Sequence, residues 1–313
     1  MRSAPDYIQF YPTLRCNRSC EFCFNRDLPP VPDMSFRNCQ ALFSRLRQIS
    51  VKTIDIIGGE PTLHPDIVEI VSDACSRGFR VNVSSNGDDL GTLEKIMKIG
   101  GDVTLGISIN DRATLDRCSA FIRERMPVAK TVFSRDLDPT LINDILALGP
   151  GKFYLIYRDA WSREDLQSTI PFDEYLKEVA RISSSRSIGT VFCSGFIPDT
   201  GNHPELGTAR CPAGTTKLGV MPDGSVYPCN LFFGRKEYLL GNILADPFEA
   251  IWNHPALDFF RIYSEIKCER KDCELHARCH GGCPAQALIV SGDMSTPDPR
   301  CMREKHCGQE QRV

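Results

Sequence analysis

The sequence predicts an α/β chain: a partial (β/α)6 barrel of the TIM type followed by a small Cys-rich, metal-stabilised domain. Three observations carry this. From 7 to about 157, short β-branched runs alternate with longer segments of helical period, the mark of repeated βα units. Beyond 185 that periodicity gives way to Gly, Pro, Asn and Cys. The 15 cysteines are clustered, with three in 16–23 and eight in 211–307. In a reducing compartment, clustered thiols bind metal rather than pair as disulfides.

Strands are expected at 8–10, 53–57, 80–84, 104–109, 129–133 and 153–157, with helices between them at 36–49, 66–77, 93–99, 114–125 and 139–148. Ser35 and Asp138 are the N-caps expected for two of these helices, and Gly78 and Gly149 the C-terminal stops expected for the helices at 66–77 and 139–148. Five of the six strands hand over to a helix before the next strand, which calls for a parallel sheet with right-handed crossovers. Such a sheet, curved as part of a barrel, presents its chemistry at the C-terminal ends of its strands. A charged segment, 159–167, and one more helix, 172–183, close the first unit. The boundary is expected at 185–189, giving domains 1–188 and 189–313. The second has too little apolar periodicity to hold itself together by burial, so metal is expected to supply part of its stability.

Composition excludes several classes. With 313 residues, 42% hydrophobic and 25% charged, the chain lies outside the collagen-like, coiled-coil and disordered ranges. Its 37 basic and 40 acidic residues, a net charge of -3, argue against a nucleic-acid partner. Residues 1–10 carry no apolar signal core, and no run of about 18 apolar residues occurs, so no membrane association and a cytoplasmic location are expected.

The stretch Leu14 to Cys23 reads C-x3-C-x2-C, with Cys16, Cys20 and Cys23 on the loop after the first strand. Three thiolates this close can converge on three corners of one cubane and leave the fourth iron open to a substrate or cofactor. A structural zinc site wants four ligands, often in pairs, and no fourth is nearby. After the second strand stand Gly58, Gly59, Glu60 and Pro61. Two glycines let the backbone approach a ligand closely, and Glu60 offers a carboxylate to a cationic amine. The third and fourth strands end in Ser84-Ser85-Asn86-Gly87 and Ser108-Ile109-Asn110-Asp111, residue types that also serve as ordinary turn formers.

With the aromatic Phe22 directly before Cys23 and a GGEP segment after the second strand, the chain resembles the radical S-adenosylmethionine (SAM) superfamily. The resemblance implies that Cys16, Cys20 and Cys23 hold a [4Fe-4S] cluster and that Phe22, Gly58, Gly59, Glu60, Pro61, Ser85, Asn86, Ser108 and Asn110 surround SAM. It also implies the chemistry: one electron from the reduced cluster cleaves SAM to a 5'-deoxyadenosyl radical, which abstracts hydrogen from an unactivated C–H bond. An electron donor such as flavodoxin or ferredoxin is implied with it.

The tail reads Cys211-x12-Gly224-x4-Cys229, then Cys268-x4-Cys273-x5-Cys279-x3-Cys283, then Cys301 and Cys307. This order is similar to the SPASM extension of radical SAM enzymes, which houses two auxiliary [4Fe-4S] clusters. Three clusters in all are therefore implied. Asp223 and Gly224 resemble the tight turn of its small hairpin, and His280 to Cys283 its glycine-rich turn. The chain departs from the family where Cys268 and Cys273 lie four residues apart instead of two. Carried over, the pattern gives Cys211, Cys229 and Cys283 to the first auxiliary cluster, with Cys193 completing it and Cys307 as the alternative. Cys268, Cys273, Cys279 and Cys301 would hold the second. Zinc ribbons are the competing reading of the tail. Cys39, Cys75 and Cys118 fall within or beside helices and read as inert thiols.

Many SPASM enzymes modify peptides or proteins, so oxidation of, or crosslink formation in, a peptide or protein substrate is the favoured function, with the auxiliary clusters as electron acceptors. The alternatives are a radical SAM dehydrogenase, decarboxylase or epimerase of a small molecule, and a non-catalytic Fe–S carrier or scaffold. Sulfatase maturases commonly place an acidic residue after the cysteine of the Gly-x4-Cys segment, whereas this chain has Asn230. No catalytic base is assignable from sequence. The cluster cysteines begin at Cys16, which leaves no room for an N-terminal leader-binding domain, so peptide recognition would use a separate adaptor or the barrel mouth. Arg158 and Asp159, just past the sixth strand, are expected to face the substrate.

Overall fold

Each β-branched run of the first half becomes a strand beside the one before it, because the helix that follows carries the chain back to start the next strand in the same direction. The computed structural model describes residues 4–183, 189–191, 211–261 and 281–299. Strands β1 (Tyr7–Phe10), β2 (Thr53–Ile56), β3 (Arg80–Ser85), β4 (Val103–Ser108), β5 (Val128–Phe133), β6 (Lys152–Tyr157) and β7 (Gly189–Val191) lie side by side in chain order. All six pairings are parallel. Between them run α1 (Phe36–Gln48), α2 (Ile67–Ser76), α3 (Leu90–Lys98), α4 (Arg112–Arg125) and α5 (Leu141–Ala147), with α6 (Phe172–Ser183) before β7.

Local chemistry fixes where the helices begin. Ser35 caps α1 by accepting from the Asn38 amide at 3.3 Å, as expected. The third helix begins at Leu90, ahead of the expected 93, because Asp89 accepts from the Thr92 amide at 2.9 Å. The fifth begins at Leu141 instead of 139: the Asp138 carboxylate accepts from the Thr140 amide at 2.8 Å, a local turn that competes with the helix, and Asp138 is not the cap. Gly78 and Gly149 take φ of 79° and 72° where the chain leaves α2 and α5.

Period-two alternation sorts the strand residues by face. Ile8, Phe10, Ile54, Ile56, Val81 and Val83 are buried in one core with Leu42, Phe43 and Leu46 of α1 and Ile70, Val71 and Ala74 of α2. Gln9, Asp55, Asn82 and Lys130 stand on the other face, where they line a cavity of 680 Å³.

The second half departs from expectation. Its described residues add three strands to the same sheet: β8 (Lys217–Val220) pairs parallel to β1 on the side away from β2, and β9 (Ser225–Tyr227) and β10 (Gly241–Asn242) follow antiparallel. The sheet thus has ten strands in the order β10-β9-β8-β1-β2-β3-β4-β5-β6-β7. Between β8 and β9 the expected turn forms, with Gly224 at φ 84° and Asp223 accepting from the Ser225 amide at 2.9 Å. Leu218, Val220, Val226, Phe232, Trp252 and Phe260 join the core of the first half. Burial and strand pairing therefore stabilise this region, where too little apolar periodicity was expected and metal was to supply part of the stability. Strands of two to four residues are too short to display a period of two. Helices α7 (Phe248–Trp252), α8 (Asp258–Arg261) and α9 (Pro284–Ser291) complete the described fold. Among the described residues, no helix is long and apolar enough to cross a membrane.

Candidate active site

The loop that leaves β1 carries Cys16, Cys20 and Cys23 as free thiols, the first exposed and the others half-buried. Burial pushes all three thiols up, and each also feels another: Cys20 acts on Cys16, Cys23 on Cys20 and Cys16 on Cys23. Among the described residues, no three His, Cys, Asp or Glu side chains close on a single ion. A zinc knuckle takes four ligands on one ion, whereas three thiolates suffice for a cluster that keeps one iron open, so the chemistry of this donor set fits a cluster.

Residues that the sequence did not single out dock this loop onto the strand ends. Arg18 binds the Asp88 carboxylate at 2.5 and 2.9 Å, the Thr114 hydroxyl at 3.0 Å and Asp111 at 3.7 Å. The Arg18 guanidinium holds the Asp88 carboxyl below the usual carboxylate range. Asn17 donates to the same carboxylate at 2.9 Å, and Arg15 pairs with Asp33 at 2.5 Å. Asp88 follows directly on Asn86-Gly87, which was the available signal. Phe22 is half-buried within the loop.

The glycine pair is needed because the cysteine loop lies against it. A Cβ on Gly59 would stand 2.0 Å from the Arg15 carbonyl oxygen, and one on Gly58, whose φ is 144°, 2.5 Å from that of Thr13. The Gly59 amide donates to Thr13 O at 3.1 Å and the Glu60 amide to Arg15 O at 2.7 Å. Glu60 is buried, and Pro61 opens a short 3-10 turn, Pro61–Leu63. The Glu60 Oε1 atom accepts from the Thr62 amide and hydroxyl at 3.1 and 2.8 Å and from Ser85 Oγ at 2.9 Å. Its Oε2 accepts from the Asn86 amide at 2.7 Å. Asn86 in turn donates to Asn17 Oδ1 at 2.8 Å. Glu60, Ser85, Asn86 and the cysteine loop are thus brought together.

At the next strand end, Asn110 Oδ1 accepts from the Val132 amide at 2.8 Å and ties β4 to β5, while half-buried Ser108 makes no side-chain hydrogen bond among the described residues. The structure brings Ser108 and Asn110 to the same end of the sheet as Ser85 and Asn86, since β3 and β4 pair in parallel up to Ser85 and Ile107.

A second group of thiols lies elsewhere. Cys211, Cys229 and Cys283 all line the 680 Å³ cavity on the concave face, together with Gln9, Asp55 and Lys217. Cys229 and Cys283 are buried and Cys211 half-buried. Burial pushes the Cys229 thiol up to about 12. Three thiols lining one cavity, with Cys229 poorly ionised until a metal displaces its proton, are a donor set that fits an iron–sulfur cluster. Cys193, Cys268, Cys273, Cys279, Cys301 and Cys307 lie outside the described residues. Cys39 and Cys118 are buried among apolar side chains.

The Arg158 side chain, expected to face the substrate, is held by its own segment. Its guanidinium is buried, binds Asp165 at 2.6 Å and Ser168 O at 3.0 Å, and so closes the segment after β6 upon itself. The neighbouring Ala160 is joined to Gln286 of α9 by two bonds, its amide to Oε1 at 3.1 Å and its carbonyl to Nε2 at 2.8 Å. Trp161 lies beneath the Arg26 guanidinium, 4.7 Å from the ring centre, and Arg26 donates to Cys20 O at 2.9 Å. Asn230, after Cys229, donates to the Tyr11 hydroxyl at 3.3 Å. An amide there takes no proton at neutral pH, so this position supplies no base.

Comparison with known proteins agrees with this arrangement. Residues 10–153 match the radical SAM superfamily, and residues 211–284 match the iron-sulfur cluster-binding domain SPASM. The PqqA peptide cyclase of Methylobacterium nodulans is 24% identical, the match covering 92% of this chain and 84% of that protein. The mycofactocin maturase MftC of Mycobacterium ulcerans is 25% identical over 96% of this chain and 88% of its own. Streptococcus suis SuiB bound to S-adenosylmethionine has the same fold, with a TM-score of 0.72 at 18% identity over 96% of this chain and 78% of SuiB. So has anSMEcpe with bound AdoMet, with a TM-score of 0.69 at 15% identity over 97% of this chain and 96% of that one. A cysteine loop docked on a glycine pair at the strand ends, followed by a second thiol group in a matched cluster-binding domain, makes the chain a member of the radical SAM superfamily, an enzyme of SAM and iron–sulfur clusters with a C-terminal SPASM domain.

Proposed function

We propose that the chain is a peptide or protein maturase, which oxidises its substrate or forms a crosslink in it. The observation that carries this is similarity along nearly the whole length to enzymes named for peptides: the PqqA peptide cyclase and the mycofactocin maturase span 92% and 96% of the chain. The fold of SuiB bound to its precursor peptide SuiA, with a TM-score of 0.71, agrees with it.

In this reading the core, 1–188, and the cluster domain, 189–313, divide the work. Cys16, Cys20 and Cys23 hold one [4Fe-4S] cluster, and Gly58, Gly59, Glu60, Pro61, Ser85, Asn86, Ser108, Asn110 and Phe22 surround SAM. When bound, these groups supply a 5'-deoxyadenosyl radical that takes hydrogen from a substrate C–H bond. The chain's own tasks are to hold the cysteine loop rigid through Arg18, Asp88 and Glu60, and to keep water from the strand ends. The concave cavity, which runs from the sheet to Cys211, Cys229 and Cys283, would receive the substrate beside the second thiol group. Two auxiliary clusters, on Cys193, Cys211, Cys229 and Cys283 and on Cys268, Cys273, Cys279 and Cys301, would take up the electron that an oxidised product leaves behind. A flavodoxin or ferredoxin would reduce the enzyme, and a separate adaptor would present the leader of a precursor peptide.

The test is anaerobic reconstitution with iron and sulfide, followed by assay of 5'-deoxyadenosine. The expected count is about twelve irons per chain with reductant-dependent cleavage of SAM. C20A should abolish cleavage and leave about eight irons in place. Cleavage that survives C20A would overturn the assignment of the loop, and zinc in the tail would overturn the auxiliary clusters. A small peptide encoded beside this gene, altered in mass on incubation with the reconstituted enzyme, would establish the substrate class. Turnover of a free metabolite with no peptide present would replace it.

A further inference from the structure

The concave cavity holds a charged side chain that the chemistry described so far does not use. Lys130 stands on β5, paired with Ser108 of β4 on one side and Tyr154 of β6 on the other, and it lines the 680 Å³ cavity. Its side chain crosses β4: a Cβ on Gly106 would stand 2.5 Å from Lys130 Cε and 2.9 Å from Nζ, so the lysine lies in space that the glycine leaves free. The ammonium ends at β3, where it donates to Ser84 Oγ at 2.5 Å. Two neighbouring strands are thus shaped to bring one cation to the middle of the sheet.

That cation is not neutralised where it stands. An ammonium has three donors, and Ser84 Oγ is its one hydrogen-bond partner among the described residues. Asp55, the carboxylate that acts on it, forms no ion pair with it among the described residues and accepts from the Tyr7 hydroxyl at 2.6 Å. Burial pulls the ammonium below the usual lysine range, and Asp55 opposes that pull. The other lysines that line the cavity are placed differently: Lys152 is exposed at the start of β6, 4.5 Å from the centre of the Tyr154 ring, and Lys217 opens β8 at the other side of the sheet. Glu60, Ser85, Asn86, Ser108 and Asn110, the polar side chains read above as surrounding SAM, do not line this cavity. Charge and space are therefore left for an anion that enters from outside.

We propose that the Lys130 ammonium, set in place by Gly106 and Ser84, receives a carboxylate of the peptide substrate and so selects which residue lies in the cavity. The carboxylate is that of an acidic side chain or of the chain terminus. The proposal rests on the reading of the chain as a peptide maturase. A carboxylate meets the open donors of Lys130 with charge-assisted hydrogen bonds in a site walled by protein, where they are screened less than in water. A neutral amide of the same shape leaves the charge unmatched.

The experiment uses the full chain, reconstituted anaerobically with iron and sulfide, with SAM present and no reductant. Three blocked amino acids serve as probes, and their affinities are read by ligand-observed nuclear magnetic resonance. N-acetylglutamate N-methylamide carries a side-chain carboxylate, N-acetylglutamine a terminal one, and N-acetylglutamine N-methylamide none. At least one of the acids should bind about tenfold tighter than the neutral probe, and which one it is names the source of the carboxylate. K130M should abolish that preference. K130Q, neutral but polar, should do the same, and it takes the place of K130M if that variant fails to load iron. The proposal falls if the parent binds neither acid better than the neutral probe, or if the preference survives loss of the lysine charge. It falls too if K130M weakens SAM binding, which would give the ammonium to the carboxylate of SAM itself. Failure of the peptide reading looks different: the preference and its dependence on Lys130 would stand, while free L-glutamate would bind tighter than its blocked form.

Discussion

Glu60 is buried, and four donors converge on its carboxylate from Thr62, Ser85 and Asn86, while its own amide reaches Arg15 O at 2.7 Å. One residue thus joins the end of β2, the end of β3 and the cysteine loop. E60Q keeps the size and loses the symmetry of the acceptor. Its NH2 must face either the three donors at Oε1 or the Asn86 amide, so at least one buried donor goes unmet, at about 1–3 kcal/mol. We expect a lower thermal midpoint together with weaker iron retention at the cysteine loop, read by calorimetry and by iron analysis of a chain in which Cys229 is also replaced. An unchanged midpoint with full iron would mean that the bracket is not what orders the loop. At this scale the sequence displayed residue types and not their partners. Glu60, Ser85 and Asn86 were legible as strand-end polar groups, but that they would bind one another follows only from the parallel register of β2 and β3. For Arg158, its position past β6 was legible, and its partner Asp165, seven residues on in an aperiodic stretch, was not.

The segment between β6 and α6 has no regular structure beyond a short 3-10 turn, Asp165–Ser168, yet it reaches both thiol groups. Arg26 of the cysteine loop stacks on its Trp161, and its Ala160 is bound twice to Gln286 in α9, the helix that Cys283 caps. Arg163 adds a bond to Val290 O at 3.0 Å. Gln286 is fully buried, so Q286A would leave the amide and carbonyl of Ala160 without partners, at about 1–3 kcal/mol. The expected result is faster amide hydrogen exchange across 158–168 and at the start of α9, with α1 and α2 unaffected. Exchange unchanged in both places would remove the segment as a link between the two halves. Among the elements, legibility followed length. The six strands with β-branched runs and the helices of nine or more residues lie within a few residues of expectation, because several turns of a periodic pattern outweigh a single capping choice. β10 passed unnoticed among glycines and cysteines, and β8 and β9 were expected only as a hairpin about Asp223 and Gly224, for a strand of two to four residues has no period to read.

Over the whole molecule, the cluster-binding half is part of the barrel sheet and not an appendage to it. β8 occupies the edge of β1 that β2 leaves open, in register from Tyr7 opposite Lys217 to Phe10 opposite Val220. Tyr11 at the end of β1 packs edge-on against Phe233 at 4.8 Å, Asn230 binds both Gln9 and Tyr11, and Arg45 of α1 donates to Ile243 O and Asp246 O at 2.6 and 2.8 Å. Leu218, Val220, Phe232 and Phe233 are buried in the common core, each worth about 1.5–3 kcal/mol against exposure. A chain that ends after Val191 would lose these side chains and bare the β1 edge, a row of unpaired amides and carbonyls beside newly exposed apolar surface. It should therefore elute as aggregate in size-exclusion chromatography and fail to load iron on Cys16, Cys20 and Cys23, even though it keeps every residue of that loop. The matching full-length chain with Cys211, Cys229 and Cys283 changed to Ser separates the two causes. It keeps β8 and its core residues while losing the proposed thiol ligands, so it should elute as the parent does and still load the first site. A truncated chain that stayed free of aggregate and took up iron normally would show that the barrel closes without β8. A serine variant that aggregated like the truncation would show that metal at those thiols, and not the shared sheet, joins the halves.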